Sequence, residues 1–149
     1  MKKKFFRQTS GNAPTANVNL DFAAAGAKVA RLFEPGEYRL RIDSARIIQN
    51  NQNVSVVLNL TEMEGGSRVD IRPLWVDGPN AGAGDLAVKN QHLIAKLLTL
   101  RELPTAGNVY DLIPQLAGLE FDARLVLDPD GRTGRTYNAL ADIYPDDGL

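Results

Sequence analysis

The chain contains no cysteine and a single histidine, His92. The lack of cysteine excludes a disulfide framework and thiolate-based metal or redox chemistry. One histidine provides no pair of imidazoles for a zinc site, and the carboxylates lack the spacing of a calcium-binding loop. We therefore expect neither a metal site nor a cofactor.

Long apolar runs are also missing. No stretch approaches the roughly 18 apolar residues needed to span a bilayer. Residues 1–7 (MKKKFFR) begin with lysines as a secretion signal does, but only Phe5 and Phe6 follow before polar residues, so there is no apolar h-region. The sequence predicts no membrane association and no secretion signal, and we expect a cytoplasmic protein.

A recognisable catalytic constellation is absent as well. The glycine-rich stretch 78–84 is not followed by the lysine and hydroxyl of a phosphate-binding loop, so we interpret it as a linker. His92 is the only possible imidazole base and no nucleophile elbow occurs, which argues against a catalytic triad. Asp128 and Asp130 are explained as turn residues by Pro129 and Gly131. We predict that the protein is not an enzyme and has no catalytic residues.

Charge is distributed unevenly along the chain. Residues 1–32 hold six basic residues against Asp21 alone, a net charge of +5, and the total of −1 leaves −6 for the remainder. A basic arm on an acidic body is typical of proteins that touch polyanions, although a solubilising tail has the same composition. We predict a largely disordered N-terminal arm over residues 1–32, with a short alanine-rich helix possible at residues 20–32.

Hydrophobic periodicity predicts a mainly β domain with five strands and an α-helix between strands 3 and 4. The parity of the first strand flips after Ser44, which indicates a β-bulge. Pro73 interrupts the third strand, and Asp85 is the expected N-cap of the helix. The predicted strands cover residues 37–47, 54–61, 68–76, 119–127 and 136–144, and the predicted helices cover residues 86–100 and 109–116. Alternation in the last strand predicts that its buried residues are Tyr137, Ala139, Ala141 and Ile143.

This order of elements is that of the OB-fold, a small five-stranded barrel that commonly binds oligonucleotides through the face of strands 2 and 3 and through two loops. A bent first strand is what the closure of such a barrel requires. We therefore predict an OB-fold-like barrel over residues 33–145, followed by a short acidic C-terminal tip at residues 146–149.

In that topology, polar and aromatic residues fall on the two loops and on the strand 2–3 face. Loop 49–53 offers amide side chains, and loop 128–135 offers arginines that suit phosphate contacts or stacking. Trp75, the only tryptophan, is a candidate stacking platform, and a core position is an equally good explanation for it. A solvated barrel surface explains the arginines equally well. The candidate nucleic-acid-binding residues are Arg39, Asn51, Asn59, Arg68, Arg72, Trp75, Arg132, Arg135 and Tyr137.

Several motifs between residues 33 and 145 follow a common pattern. They are Gly36-Glu-Tyr38 at the start of strand 1, the leucine-rich helix after strand 3, the entry to strand 4 with Leu116, Gly118 and Phe121, and Asn138 before the closing Pro145. In these features the chain resembles a family of small bacteriophage proteins, long catalogued as a domain of unknown function and regarded as single-stranded-DNA-binding-like OB proteins. The resemblance implies an accessory role in phage DNA replication or recombination in the host cytoplasm. The acidic barrel departs from what strong DNA binding favours.

We predict a sequence-tolerant single-stranded DNA-binding protein, with replication or recombination proteins as possible partners and a homo-oligomer as a possible state. The alternative is a protein-interaction or structural OB module of a phage or mobile element, with no nucleic-acid role. The acidic body favours this alternative. So does the apolar second helix, with Val109, Leu112, Ile113 and Leu116.

Overall fold

The computed structural model describes residue 20 and residues 30–81 and 84–145. Most of the predicted arm and the whole predicted tip at residues 146–149 lie outside the described residues. The described strands are β1 (Ala30–Arg31), β2 (Gly36–Asn50), β3 (Asn53–Glu62), β4 (Arg68–Val69), β5 (Leu74–Asp77), β6 (Glu120–Pro129) and β7 (Thr136–Ile143). The described helices are α1 (Asp85–Leu100) and α2 (Val109–Leu112), with 3₁₀ turns at Pro79–Ala81 and Ile113–Leu116.

The strands form one sheet in the order β1-β4-β3-β2-β6-β7, with β5 also paired to β3. The prediction of a mainly β fold is confirmed. Among the described residues, however, the seven strands form an open sheet and not the closed five-stranded barrel that the sequence predicted. Pro73 lies between β4 and β5 and divides the predicted third strand in two. Ala30 and Arg31 add a further strand, parallel to β4, at the end of the segment 20–32 for which the sequence allowed a short helix. Residues 21–29 of that segment lie outside the described residues. The predicted helix before the fourth strand is present as α1.

β2 is the long bent strand that joins the two halves of the sheet. Residues 36–41 pair with β6, and residues 40–50 pair with β3. The register with β3 shifts between Ile42 and Ser44, so Asp43 is the extra residue of a bulge. Its carboxylate accepts hydrogen bonds from the Thr61 hydroxyl and from Nε of Arg41, the latter at 2.8 Å. The bulge predicted from the parity flip is confirmed.

α1 covers one side of the sheet and contributes to its core. Its buried residues are Asn90, Leu93, Ile94, Leu97 and Leu98. Gly84, with φ of 103°, is the N-cap, and Asp85 is the first helical residue. The predicted N-cap was therefore wrong by one residue. The negative charge of Asp85 lies instead in the first turn, where it interacts favourably with the helix dipole. Lys96 joins α1 to β7 through an ion pair with Asp142, Nζ to Oδ1 2.6 Å.

β7 differs from the predicted alternation. Asn138, Leu140 and Ile143 are buried, and Tyr137 and Ala139 are only half-buried. The register with β6 shifts between Arg124 and Leu125, so Ala141 is an extra residue that restores the inward position of Ile143. The prediction was wrong because an asparagine at a core position breaks the apolar pattern from which parity is read.

The Asn138 side chain is 1% exposed and fully engaged. Its Oδ1 accepts a hydrogen bond from the backbone N–H of Phe33 at 2.8 Å, and its Nδ2 donates to the carbonyls of Phe33 at 2.9 Å and Val126 at 3.2 Å. Its backbone N–H donates to the carbonyl of Asp70 at 2.8 Å, beside a parallel bridge between Ile71 and Asn138. Asn138 therefore connects strand β7 to three other parts of the chain, which are the residues before β2, the segment after β4 and strand β6.

We expect Asn138→Ala to lower the free energy of unfolding by about 2–4 kcal/mol, because the buried N–H and carbonyl of Phe33 lose their partner and unsatisfied buried groups cost about 1–3 kcal/mol each. Urea unfolding followed by circular dichroism measures the change. Asn59→Ala is the matched control, since Asn59 is half-exposed and its Nδ2 donates to the Ser44 hydroxyl at 2.6 Å. Equal losses in the two variants would contradict the role assigned to Asn138.

A second expectation concerns acid stability. The hydrogen bond from Lys96, with that from the backbone N–H of Ile143, holds the pKa of Asp142 below its usual range. A depressed carboxyl pKa stabilises the fold above the unfolded-state value of about 4, and this contribution is lost as the pH falls through the folded-state pKa. We expect Asp142→Asn to lower the free energy of unfolding by about 0.2–1 kcal/mol near neutral pH and by less at about pH 2. Urea titrations at both pH values measure this, and a loss that does not shrink in acid would contradict it.

Candidate nucleic-acid interface

A groove of about 700 Å³ lies between β5, the first turns of α1 and the turn that joins β6 to β7. Four of the nine predicted binding residues line this groove: Arg72, Trp75, Arg132 and Tyr137. Lys89 and Asn90 of α1 form part of the opposite wall, with Leu86 beside them. The fold thus brings together residues from two distant parts of the sequence, around residues 72–75 and 132–137.

Tyr137 is the centre of a cationic cluster at one end of the groove. The guanidinium carbon of Arg135 lies 4.6 Å from the centroid of its ring, and that of Arg72 lies 5.3 Å away. These distances are those of cation–π contacts. We refer to Arg72, Arg135 and Tyr137 as the Tyr137 cluster. Arg72 and Tyr137 line the groove, and Arg135 adjoins it through its contact with the ring. Planar guanidinium groups and aromatic rings are surfaces on which a base can stack.

Carboxylates hold both arginines of the Tyr137 cluster. Nη2 and Nε of Arg72 lie 2.6 Å and 3.1 Å from Oδ2 of Asp128, and Nη1 lies 3.4 Å from Asp130. Arg135 donates a hydrogen bond to Asp70. The hydrogen bond to Asp128, together with the charges of Asp128 and Asp130, raises the pKa of Arg72. The hydrogen bond to Asp70 and the charge of that carboxylate raise the pKa of Arg135.

Asp130 fixes the turn that carries Arg132. Its backbone N–H donates to the carbonyl of Arg135 at 2.8 Å, and its own carbonyl accepts from Gly134 at 2.8 Å. Its carboxylate accepts from the backbone N–H of Arg132 at 2.9 Å. That hydrogen bond, followed by the charges of Arg132 and Arg72, lowers the pKa of Asp130. The Arg132 side chain is 91% exposed, with Nε 4.0 Å from Asp130, so its guanidinium projects into solvent at the groove.

Trp75 is half-buried on β5, where it pairs in register with Ser55 of β3. Its carbonyl accepts a hydrogen bond from Nδ2 of Asn90 at 2.9 Å. Asn90 is itself buried on α1, so this bond joins the two walls of the groove. Trp75 lines the groove and is neither among the buried core residues nor among the partly buried residues packed against them, so the core position, one of the two alternatives left open by the sequence, is not what the structure shows.

The β2–β3 turn packs against residues 78–81, which adjoin the groove. Asn51 adopts a left-handed conformation with φ of 58° at the tip of this turn and is exposed. Oδ1 of Asn53 accepts a hydrogen bond from the backbone N–H of Asn80, a groove residue, at 2.7 Å. Gly78, with φ of 95°, packs so closely that a Cβ atom would lie 2.1 Å from the carbonyl oxygen of Gln52. Residues 78–81, interpreted from the sequence as linker, therefore make a close-packed contact with the turn.

Five of the nine predicted residues do not line the groove. Arg135 contacts the Tyr137 ring and Asn51 lies on the β2–β3 turn, and the other three lie elsewhere. Arg39 forms an ion pair with Asp122, Nη1 to Oδ2 3.4 Å, in a shallow pocket beside Tyr144. Asn59 bonds to Ser44 on the face of β2 and β3. Arg68 is exposed on β4. The fold does not bring these three side chains to the surface formed by Trp75 and the Tyr137 cluster.

The sequence missed the acidic partners and the helical wall of the groove. Asp70, Asp128 and Asp130 were not predicted as arginine partners, and Lys89 and Asn90 were not predicted as site residues. The turn residues around Pro129 gave a sufficient local explanation for two of these aspartates. Only an estimate of which strands are neighbours would have pointed to their ion pairs.

Within the part of the chain that the structure describes, no three His, Cys, Asp or Glu side chains group closely enough to hold a metal ion. None of the helices described there is long and apolar enough to cross a membrane.

In comparisons with known proteins, no protein-family model matches the chain, and a search of curated proteins found no match.

Proposed function

We propose that this protein binds single-stranded DNA without strong sequence preference, in the groove between β5, α1 and the β6–β7 turn, and that it has no catalytic activity. The observation that carries the proposal is the convergence of Trp75 and Tyr137 with Arg72 and Arg132. Grooves that combine aromatic side chains with cations are the usual means of binding single strands, because every base has a face that can stack and every nucleotide a phosphate.

Different groove residues suit base stacking and phosphate contacts. Stacking on an aromatic side chain contributes about 1–3 kcal/mol per base, and Trp75 and the Tyr137 cluster provide such surfaces. Arg132 and Lys89 are exposed cations on opposite sides of the groove, where they suit phosphate contacts. Stacking supplies much of the affinity in this arrangement, which is compatible with a body of net negative charge.

We also infer that the sheet is an incomplete OB-fold-like barrel. β4 and β5 act as one strand interrupted at Pro73, and β2 bends at its bulge to pair with both β3 and β6. The bridge between Ile71 and Asn138 brings the two free sides of the sheet together. An OB-fold is itself only partly closed. The β2–β3 turn and the turn 130–135 then correspond to its two binding loops, and the family resemblance adds a role in phage-type DNA replication or recombination.

The decisive experiment is a titration of the protein with oligo-dT while the fluorescence of Trp75 is followed. Because Trp75 is the only tryptophan in the chain, a base stacked in the groove quenches the whole tryptophan signal. We expect saturable quenching and an affinity that falls as salt rises, since phosphate binding releases counterions. An unchanged signal together with no gel shift at low salt would contradict the proposal.

Arg132→Ala tests whether the groove is the binding surface. We expect it to weaken binding several-fold at low salt and to reduce the salt slope by about 0.7, the value for one single-strand phosphate contact. Arg39→Ala is the matched control, because it removes the same charge from an arginine outside the groove. If Arg39→Ala weakens binding as much as Arg132→Ala, the groove is not the binding surface.

A protein-interaction module is a second candidate function, favoured by a separate apolar groove of about 410 Å³ between α1, α2 and the β2–β3 hairpin. Ile47, Val54, Val76, Leu98, Val109 and Leu112 are among its lining residues. The segment predicted as a second helix, residues 109–116, exposes less apolar surface than its sequence indicates, because Ile113 and Leu116 are buried in the core. Val109, however, is 43% exposed. The partner that fits is a protein segment that presents one bulky apolar side chain.

If this apolar groove binds a protein, the natural chain should retain that partner in a pull-down after nuclease treatment. Val109→Asp should abolish this retention. Val88→Asp is the matched control, because Val88 is 65% exposed on α1 and does not line the groove. Equal retention by the two variants, or equal loss, would contradict this second function.

A further inference from the structure

The Tyr137 cluster presents its guanidinium edges to carboxylates. Arg72 directs both Nε and Nη2 at one oxygen of Asp128, and Arg135 donates to Asp70. Adjacent N–H groups of a guanidinium form the edge that also binds phosphate oxygens. The positions at which the cluster would hold the phosphates of a bound strand are therefore filled by side chains of the same chain.

We propose that Asp70 and Asp128 are internal competitors for single-stranded DNA, and that strand phosphates bind the Tyr137 cluster by replacing these carboxylates on Arg135 and Arg72. This inference rests on the proposed function, because it assigns a mechanism to the same groove. It makes the two aspartates determinants of affinity rather than passive structural partners.

The two carboxylates are accessible enough to be replaced. The Asp128 side chain is 32% exposed and that of Asp70 is 23% exposed, so each ion pair is partly solvated and contributes little to stability. Asp130 differs from them, since it is buried and its carboxylate also accepts the backbone N–H of Arg132. Asp130 therefore keeps its place in the turn when a strand binds, while Asp70 and Asp128 turn outward to solvent.

Replacement has a consequence for the salt dependence of binding. A phosphate that meets a free arginine releases condensed counterions and steepens the salt slope. A phosphate that displaces a carboxylate leaves that carboxylate free to attract a cation, so the net release is smaller. We expect the natural protein to have a shallow salt slope for its number of arginines, because two of them exchange one anion for another.

Asp128→Asn and Asp70→Asn test the inference, because each keeps the size of the side chain and removes its charge. Asp122→Asn is the matched control, since Asp122 pairs with Arg39 outside the groove and its substitution changes the net charge equally. Oligo-dT titrations with Trp75 fluorescence at several salt concentrations provide the readout. Relative to Asp122→Asn, we expect each groove variant to bind about two- to fivefold more tightly, the affinity equivalent of one partly exposed ion pair, with a salt slope steeper by about 0.7.

The outcomes distinguish a failure of the inference from a failure of the proposed function. If the natural protein binds but the groove variants match Asp122→Asn, the competition is refuted and the function stands. If they bind more weakly than Asp122→Asn, the carboxylates position the guanidiniums, and the inference is again refuted. Binding by the groove variants alone supports the inference, whereas no binding by any of these proteins overturns the function and the inference with it. Circular dichroism verifies folding, and if one groove variant is unfolded the other one decides.

Discussion

Four parts of this molecule meet at the side chain and backbone of Asn138. Its amide bonds both backbone groups of Phe33 and the carbonyl of Val126, and its N–H bonds the carbonyl of Asp70. Burying an amide is costly unless its hydrogen bonds are made, so this residue holds its position only when all four segments are in place. One set of bonds therefore fixes together the chain before β2, the segment after β4, strand β6 and strand β7.

The hydrogen bonds of Asn138 also determine the geometry of the groove. Asn138 is buried, and Tyr137, the residue before it on β7, is half-buried and lines the groove. The backbone bond from Asn138 to Asp70 brings the segment after β4 beside β7, so that Arg72 and Arg135 both reach the Tyr137 ring. The same constraint that stabilises the core thus assembles the cationic cluster. A change at Asn138 would affect both.

Electrostatics distinguish this surface from a simple basic patch. Each arginine of the Tyr137 cluster is paired with an aspartate, while Arg132 remains exposed on the turn that Asp130 fixes. Under the function that we propose, a bound strand would stack on Trp75, contact the exposed cations and replace the carboxylates on the paired arginines.

Local pattern was sufficient for much of the fold. The bulge at Asp43 followed from a change of parity within β2, and α1 followed from the spacing of its leucines, because both signals depend on residues a few positions apart. The interruption at Pro73 followed from the missing N–H of proline. The presence of aromatic and cationic residues near positions 72–75 and 132–137 was also readable from the sequence.

Only the tertiary structure decided which residues those side chains meet. The bonds of Asn138 to Phe33 span 105 positions, the pair of Arg135 with Asp70 spans 65, and that of Arg72 with Asp128 spans 56. No periodicity carries information over such separations, so the inward turn of Asn138, the parity of Tyr137 and the acidic partners were not predicted. The sequence determined the elements and the kinds of side chain, and long-range hydrogen bonds and ion pairs determined how they form one groove.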